Sequence, residues 1–200
     1  MVVTVRENHT AIKENFVELT ELEKAERFAI KAHENQKYGQ FPYIKHLYDV
    51  QNVLIRFGYG SDTNYLVAAL LHDIIEDTDY EWHDISSEYG YFVANLVDSV
   101  SGYGKNRRER LFNVANKLVK FPQGVPLKLA DRIANIEQSL LRNNDKLSMY
   151  LKEHSSFMIL VPKFANDHMF EHLQYLQQLG TLALGIRSLD KIMNPQRSNR

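Results

Sequence analysis

The stretch His72-Asp73-Ile74-Ile75-Glu76-Asp77 puts an imidazole and three carboxylates within six consecutive residues, directly after the apolar run Tyr65-Leu66-Val67-Ala68-Ala69-Leu70-Leu71. With no Pro or Gly in either part, the pattern predicts one continuous helix. At about 100° per residue, His72 and Glu76 stack one turn apart while Asp73 and Asp77 form a second row beside them. Uncompensated carboxylates are costly in an apolar interior, so such a face calls for a cation. The alternative is a helix end whose acidic residues are solvated, which the negative C-terminal end of the helix dipole disfavours.

A divalent ion needs more donors than one His-Asp pair, together with open positions for water or substrate. The chain has no cysteine, so imidazole and carboxylate are the available ligands. Two other segments offer them. His46 follows Tyr43-Ile44-Lys45, and Asp131 interrupts the apolar stripe of Leu127-Lys128-Leu129-Ala130. Each has an ordinary explanation as well: His46 as a hydrogen-bonded surface histidine, Asp131 as the ion-pair partner of Arg132 or Lys128. Asn135, one turn beyond Asp131, carries an amide suited to reading a substrate.

The elements that must position these residues follow from periodicity and breakers. Thr20-Glu21-Leu22-Glu23 reads as a capping start for a helix running to about Gln36. Residues 38–42 form a loop, with Pro42 suited to the first turn of a second helix that reaches about Phe57. Gly58-Tyr59-Gly60 ends it, and Ser61 or Asp62 caps the third helix, which carries the acidic face to about Thr78. Short helices are expected over Trp82–Tyr89 and Tyr91–Val100, broken at Gly90. Residues 101–110 read as a flexible loop entering another helix, 121–126 as a separator, and further helices over about Leu127–Leu141, Asp145–His154 and Phe164–Leu179. Residues 190–200 are expected to fray. Neither repeats nor strand alternation occur, so the fold class is all-α, a compact orthogonal multi-helix bundle without a lasting heptad. The predicted organisation is an extension at 1–20, one domain at 21–180 and a tail at 181–200.

Two hundred residues suffice for one substantial core. A net charge of −1 from 24 basic and 25 acidic residues gives no bulk attraction to nucleic acid or membrane, so neither is an expected partner. The apolar runs fall short of a bilayer span and the N-terminus has no signal-like core, which points to a cytoplasmic protein.

Six blocks in this order and spacing resemble the HD phosphohydrolase superfamily, and within it the hydrolase domain of the RelA/SpoT-type alarmone enzymes and their small stand-alone relatives. They are Ala32-His33-Glu34-Asn35-Gln36, Pro42-Tyr43-Ile44-Lys45-His46, Ala68 to Thr78 around His72-Asp73, Asn106-Arg107-Arg108-Glu109-Arg110, Lys128 to Asn135 around Asp131, and Met149-Tyr150-Leu151-Lys152-Glu153-His154. The resemblance spans about Glu23 to Phe157. It implies that His46, His72, Asp73 and Asp131 hold one manganese ion and that Glu76 and Asp77 manage the water nucleophile and its protons. It also implies that Asn135 lies near the nucleoside and that Tyr150 and Glu153 lie close to the substrate. The implied reaction removes the 3′-pyrophosphate of (p)ppGpp to give GDP or GTP, with a small nucleotide as the substrate and the oligomeric state left open. Such a substrate requires locally focused positive charge. Lys37, Lys45, Lys105, Lys128, Arg132 and above all Arg107, Arg108 and Arg110 in their Gly-containing loop are the available donors. The chain departs from the family pattern in the loop Lys37-Tyr38-Gly39-Gln40-Phe41, which lacks the family's Arg and offers Tyr38 for stacking on a base, and in Leu47, which stands where Pro is common. No synthetase domain fits the length. A different nucleotide substrate, or a nucleotide-binding regulator without turnover, are the alternative readings.

Overall fold

The computed structural model describes residues 19–142, 144–164 and 167–194; the expected N-terminal extension, up to residue 18, and the expected fraying of residues 195–200 lie outside them. Nine α-helices are described in this range: α1 Glu21–Ala32, α2 Ile44–Leu54, α3 Thr63–Leu71, α4 Ile74–Asp77, α5 Trp82–Val100, α6 Arg107–Lys120, α7 Val125–Leu141, α8 Lys146–Leu160 and α9 Asp167–Met193. The fold is all-α as expected. One two-residue hairpin is added, β1 Lys37–Tyr38 paired antiparallel with β2 Phe41–Pro42.

The core is organised around α3. Tyr65, Val67, Ala68, Ala69, Leu70 and Leu71 are all buried there, so the helix is apolar on every side and lies enclosed by α1, α2 and α5. The second long apolar helix, α7, packs across α2 with Leu127, Leu129, Ala130 and Ile133 fully buried, and α9 covers its far side. The sites of interest on α2, α3 and α7 are therefore brought together by the same contacts that bury the core.

Local signals explain most boundaries. Thr20 caps α1 in a reciprocal box with Glu23. Asp62, rather than Ser61, caps α3 by accepting from the Asn64 amide. Gly90 sits at φ +81 inside α5 and kinks it where the sequence predicted a break.

Several boundaries differ from expectation. Pro42 lies in β2, and α2 starts only at Ile44; beyond Leu54 the chain loosens into a π-turn, Ile55–Tyr59, kinked at Gly58 with φ +94. Arg107, Arg108 and Arg110 belong to the first turn of α6, capped by Asn106, not to the flexible loop before it. Helix α8 continues to Leu160, and α9 runs to Met193, so residues 190–193 are helical instead of frayed. The acidic helix is also interrupted: α3 stops at Leu71, His72 and Asp73 form a turn, and α4 resumes at Ile74. No helix among the described residues is long and apolar enough to cross a membrane.

Candidate metal centre and active site

The interruption at His72-Asp73 is what makes the cluster possible. On a regular helix adjacent side chains diverge by about 100° and cannot meet at one point. With the turn, His72 Nε2 comes within 3.0 Å of Asp73 Oδ2. His46, buried on α2, points its Nε2 to within 3.5 Å of the same Asp73 oxygen and 3.5 Å of Asp131 Oδ1 from α7. His72 Nε2 lies 3.9 Å from that Asp131 oxygen, and ligand atoms of His46, His72 and Asp131 all fall within 4.8 Å of one another.

The donor chemistry fits a divalent cation. His72 Nδ1 lies 2.9 Å from the carbonyl of Ala69, near the end of α3, so its proton belongs there and Nε2 presents a lone pair. That buried Nε2 has no hydrogen bond among the described residues and instead faces a carboxylate oxygen, an arrangement that calls for a positive charge between them. Electrostatics agree. Burial raises the Asp73 and Asp131 carboxyls, yet His72 and His46 around the first and Lys128 and His46 around the second outweigh it and hold both well below the usual range. Burial likewise pushes His46 down, but Asp131 and Asp73 lift it to about 9. A divalent ion would supply the charge that the imidazoles otherwise provide.

Three neighbours hold the carboxylates in place. Tyr43 donates a 2.6 Å hydrogen bond to Asp73 Oδ2. Lys128 Nζ donates to Asp131 Oδ2 at 3.1 Å, and the Asn135 amide donates to Asp131 Oδ1 at 2.5 Å. The Lys128 pairing expected as Asp131's ordinary explanation is thus present, but it engages one oxygen and leaves the other facing the histidines. Tyr43 was outside the predicted site, and Lys128, expected as a substrate-facing cation or an ion-pair partner, takes the second part. Lys128 was legible at three residues before Asp131 on the same helix face, whereas nothing in the local sequence ties Tyr43 to Asp73.

His46, Asp73 and Asp131 line a cavity of about 280 Å³, with His72 buried behind them. Glu76 and Asp77, on α4, stand on its wall. Burial pushes both carboxyls up, with Asp73 adding to the effect at each, while at Glu76 the Lys128 ammonium and an N–H from Gly102 hold it partly back. Both carboxyls are thereby more basic than an ordinary carboxylate, the direction a proton acceptor needs. Lys37, Arg107, Arg110, Arg132 and Lys146 also line the cavity, with Tyr150 and Glu153 beside Arg107 and Arg132. Glu153 binds Arg107 at 2.6 and 3.0 Å and Arg132 at 3.0 Å, while the Arg132 guanidinium lies against Tyr150 and Phe157. Lys146, on α8, had no place in the expected set.

Not all expected residues converge. Lys45 is paired with Asp49 on its own helix and does not line the cavity. Arg108 points to a separate groove between α6 and α8, beside Phe112 and Ile159. Tyr38 lines the cavity, but its ring is already engaged by the His46 imidazole, stacked at 4.8 Å, and by the Arg142 guanidinium at 5.1 Å. Its hydroxyl donates to Asn135 Oδ1 at 3.1 Å. The amide of Asn135 is therefore occupied on both ends, by Tyr38 and Asp131.

Comparison with known proteins agrees with this architecture. The profile of the HD domain matches residues 25–147, and the chain belongs to the HD-domain family. Several of its relatives carry the name guanosine-3′,5′-bis(diphosphate) 3′-pyrophosphohydrolase. The one from Aquifex aeolicus is 33% identical over 140 residues, covering 66% of this chain and 20% of the relative. The one from Danio rerio, MESH1, is 35% identical over 115 residues, covering 54% of this chain and 63% of the relative. The chain thus spans less than two thirds of these relatives' own length. A solved structure described as "A metazoan ortholog of SpoT hydrolyzes ppGpp and plays a role in starvation responses" superposes with a TM-score of 0.67 over 82% of this chain and 97% of that one, at 23% identity, and so shares the fold.

Proposed function

We propose that this chain is a metal-dependent pyrophosphohydrolase that removes the 3′-pyrophosphate of (p)ppGpp, giving GDP or GTP and pyrophosphate. The observation that carries the reading is the meeting of His46, His72, Asp73 and Asp131 beside a cavity that is also lined by the carboxyls of Glu76 and Asp77 and by the cations Lys37, Arg107, Arg110 and Lys146. The names of the relatives support the substrate class. Those four side chains would hold one ion, and two imidazoles with two carboxylates fit Mn²⁺ or a similar divalent cation. The ion would polarise a phosphoryl oxygen and lower the pKa of water.

The protein's own groups account for the rest. Glu76 takes the proton from the attacking water, and Asp77 relays protons at the same wall. As the water oxygen bonds to the phosphorus on O3′, the P–O3′ bond breaks and the 3′ oxygen takes up a proton, which leaves a hydroxyl on the nucleotide. Lys37, Arg107, Arg110 and Lys146 meet the phosphate charges, and Tyr150 and Asn135 flank the nucleoside. The catalytic unit corresponds to residues 21–180, and a cytoplasmic setting suits a small nucleotide substrate.

A second reading keeps the chemistry and changes the nucleotide. It is favoured by Tyr38, which is committed to His46 and Arg142 rather than open to a base, in a loop without arginine. One experiment tests both: guanosine and adenosine alarmones, deoxynucleotides and dinucleotide phosphates assayed with and without Mn²⁺, with products resolved by chromatography. Metal-dependent release of pyrophosphate from ppGpp is the expected result. Activity confined to another nucleotide selects the second reading, and no turnover of any of them would overturn both.

A further inference from the structure

The last helix has two apolar faces. Met169, Leu173 and Leu176 pack into the core, Gly180 lies against Leu151 of α8, and Leu184 continues that face. On the opposite side Tyr175, Leu179, Leu182, Ile186, Leu189 and Met193 follow one another at alternating spacings of four and three residues. At 100° per residue they fall within a sector of roughly 80°. All six are between 36% and 78% exposed. Opposed apolar faces largely cancel in the amphipathic pattern of the helix, which is why its outer stripe gives no simple one-sided signal.

We propose that this stripe is the interface through which two copies of the chain form a dimer, α9 against α9. A spacing of alternating three and four residues is the seam of a two-helix coiled coil, so the matching surface is another helix with the same repeat. The stripe supplies that surface itself, and a two-fold pairing of identical stripes consumes both and leaves none over. The apolar area on offer is on the order of 700 Å² per copy, close to the roughly 800 Å² that each partner commits to a standard interface. The flanking positions Ala183, Gly185, Asp190 and Ile192 carry a single charge. The partner face must then be nearly uncharged and apolar, as the stripe is. With a net charge of −1, two copies repel one another little. Beyond Gly180 only Leu184 among the described residues packs on the core and Gly185 lowers the local helix propensity, so a partner on the outer stripe would steady the end of α9.

Sedimentation and light scattering of the full chain from low to high micromolar concentration should give twice the 23.3 kDa chain mass. The double variant Leu182→Glu/Leu189→Glu should halve that mass and keep its helical circular dichroism. The matching change on the other apolar groove, Phe112→Glu/Ile159→Glu, should leave the dimer intact. Should the double variant lose its fold, the single change Ile186→Asn, which places one polar group in the seam, should keep the fold and weaken association by at least about ten-fold. A wild-type chain that is monomeric throughout, or a dimer indifferent to these changes, overturns the proposal. So does a monomer that the double variant destabilises, since the stripe would then be covered from within the same chain, with residues 1–18 the available segment.

Discussion

Tyr43 donates its hydroxyl proton to Asp73 Oδ2 at 2.6 Å, and that same oxygen lies 3.0 Å from Nε2 of His72 and 3.5 Å from Nε2 of His46. A residue at the start of α2 thereby sets the direction of a carboxylate 30 positions later. The ring is itself held by stacking on His33 at 4.7 Å, which gives the Ala32-His33 block a structural part in the site.

Removing that hydroxyl isolates its contribution. Tyr43→Phe should keep the fold and lower Mn²⁺ affinity by roughly 10–100-fold, the usual effect of losing an outer hydrogen bond to a metal ligand. Calorimetric titration of the ion into the protein measures it, and an unchanged affinity would release Tyr43 from this role.

Glu76 is assigned the proton and not the ion. Glu76→Gln should therefore retain metal content and melting temperature while turnover falls by at least about 100-fold. Asp73→Ala should lose both. If the two variants lost metal equally, the division of labour between α4 and the preceding turn would be wrong.

The carboxylate of Glu153 ties α8 to Arg107 on α6 and to the buried Arg132 on α7. Burial raises this carboxyl, but the hydrogen bonds from Arg107 and Arg132 prevail and hold it below its ordinary value. A depressed folded-state pKa stabilises the fold above the unfolded value of about 4.3, and the contribution is lost as pH falls through the folded value. Glu153→Gln should cost about 1–3 kcal/mol at neutral pH, the scale of leaving a charged hydrogen-bond partner unmatched. The gap between denaturant melts of the two proteins should begin to close as pH falls below the unfolded value and vanish once it has passed through the lowered folded value. A gap that persists unchanged in acid would show that the ion pair is not its source.

Gly39 turns the β1–β2 hairpin at φ +67, and a Cβ there would run into the Arg142 guanidinium that donates to the Tyr38 carbonyl at 2.9 Å. Gly39→Ala should destabilise by about 1 kcal/mol or more, combining backbone strain with displacement of Arg142. Comparison of thermal melts measures this, and a neutral result would mean that the loop repacks freely.

Much of the fold is local and was readable from residue order. The Thr20 cap, the Asp62 cap and the Gly90 break each act within a few residues, and the all-α class follows from periodicity. The fate of His72-Asp73 was not readable as structure: helix propensity favours continuation, and the turn there is set by the need to aim two adjacent side chains at partners on α2 and α7. Lys45 and Arg108 show the same limit from the other side. As residue types they suit phosphate, but on a helix each points where its phase directs it, to Asp49 and to the outer groove. Arg142 and Lys146 reach the cavity region from far along the chain, and no spacing rule in the sequence joins them to it.

The donors of the candidate metal centre come from α2, α7 and the turn between α3 and α4, and the Tyr38–Asn135 bond beside them closes a separation of 97 residues. No fragment or half-formed intermediate can assemble such a centre, so an ion bound there binds the native state alone. Ion uptake would then report completed folding, and raising ion concentration should lift the melting temperature by mass action. Chelation would act as a mild denaturant on a chain that has no disulfide to fall back on.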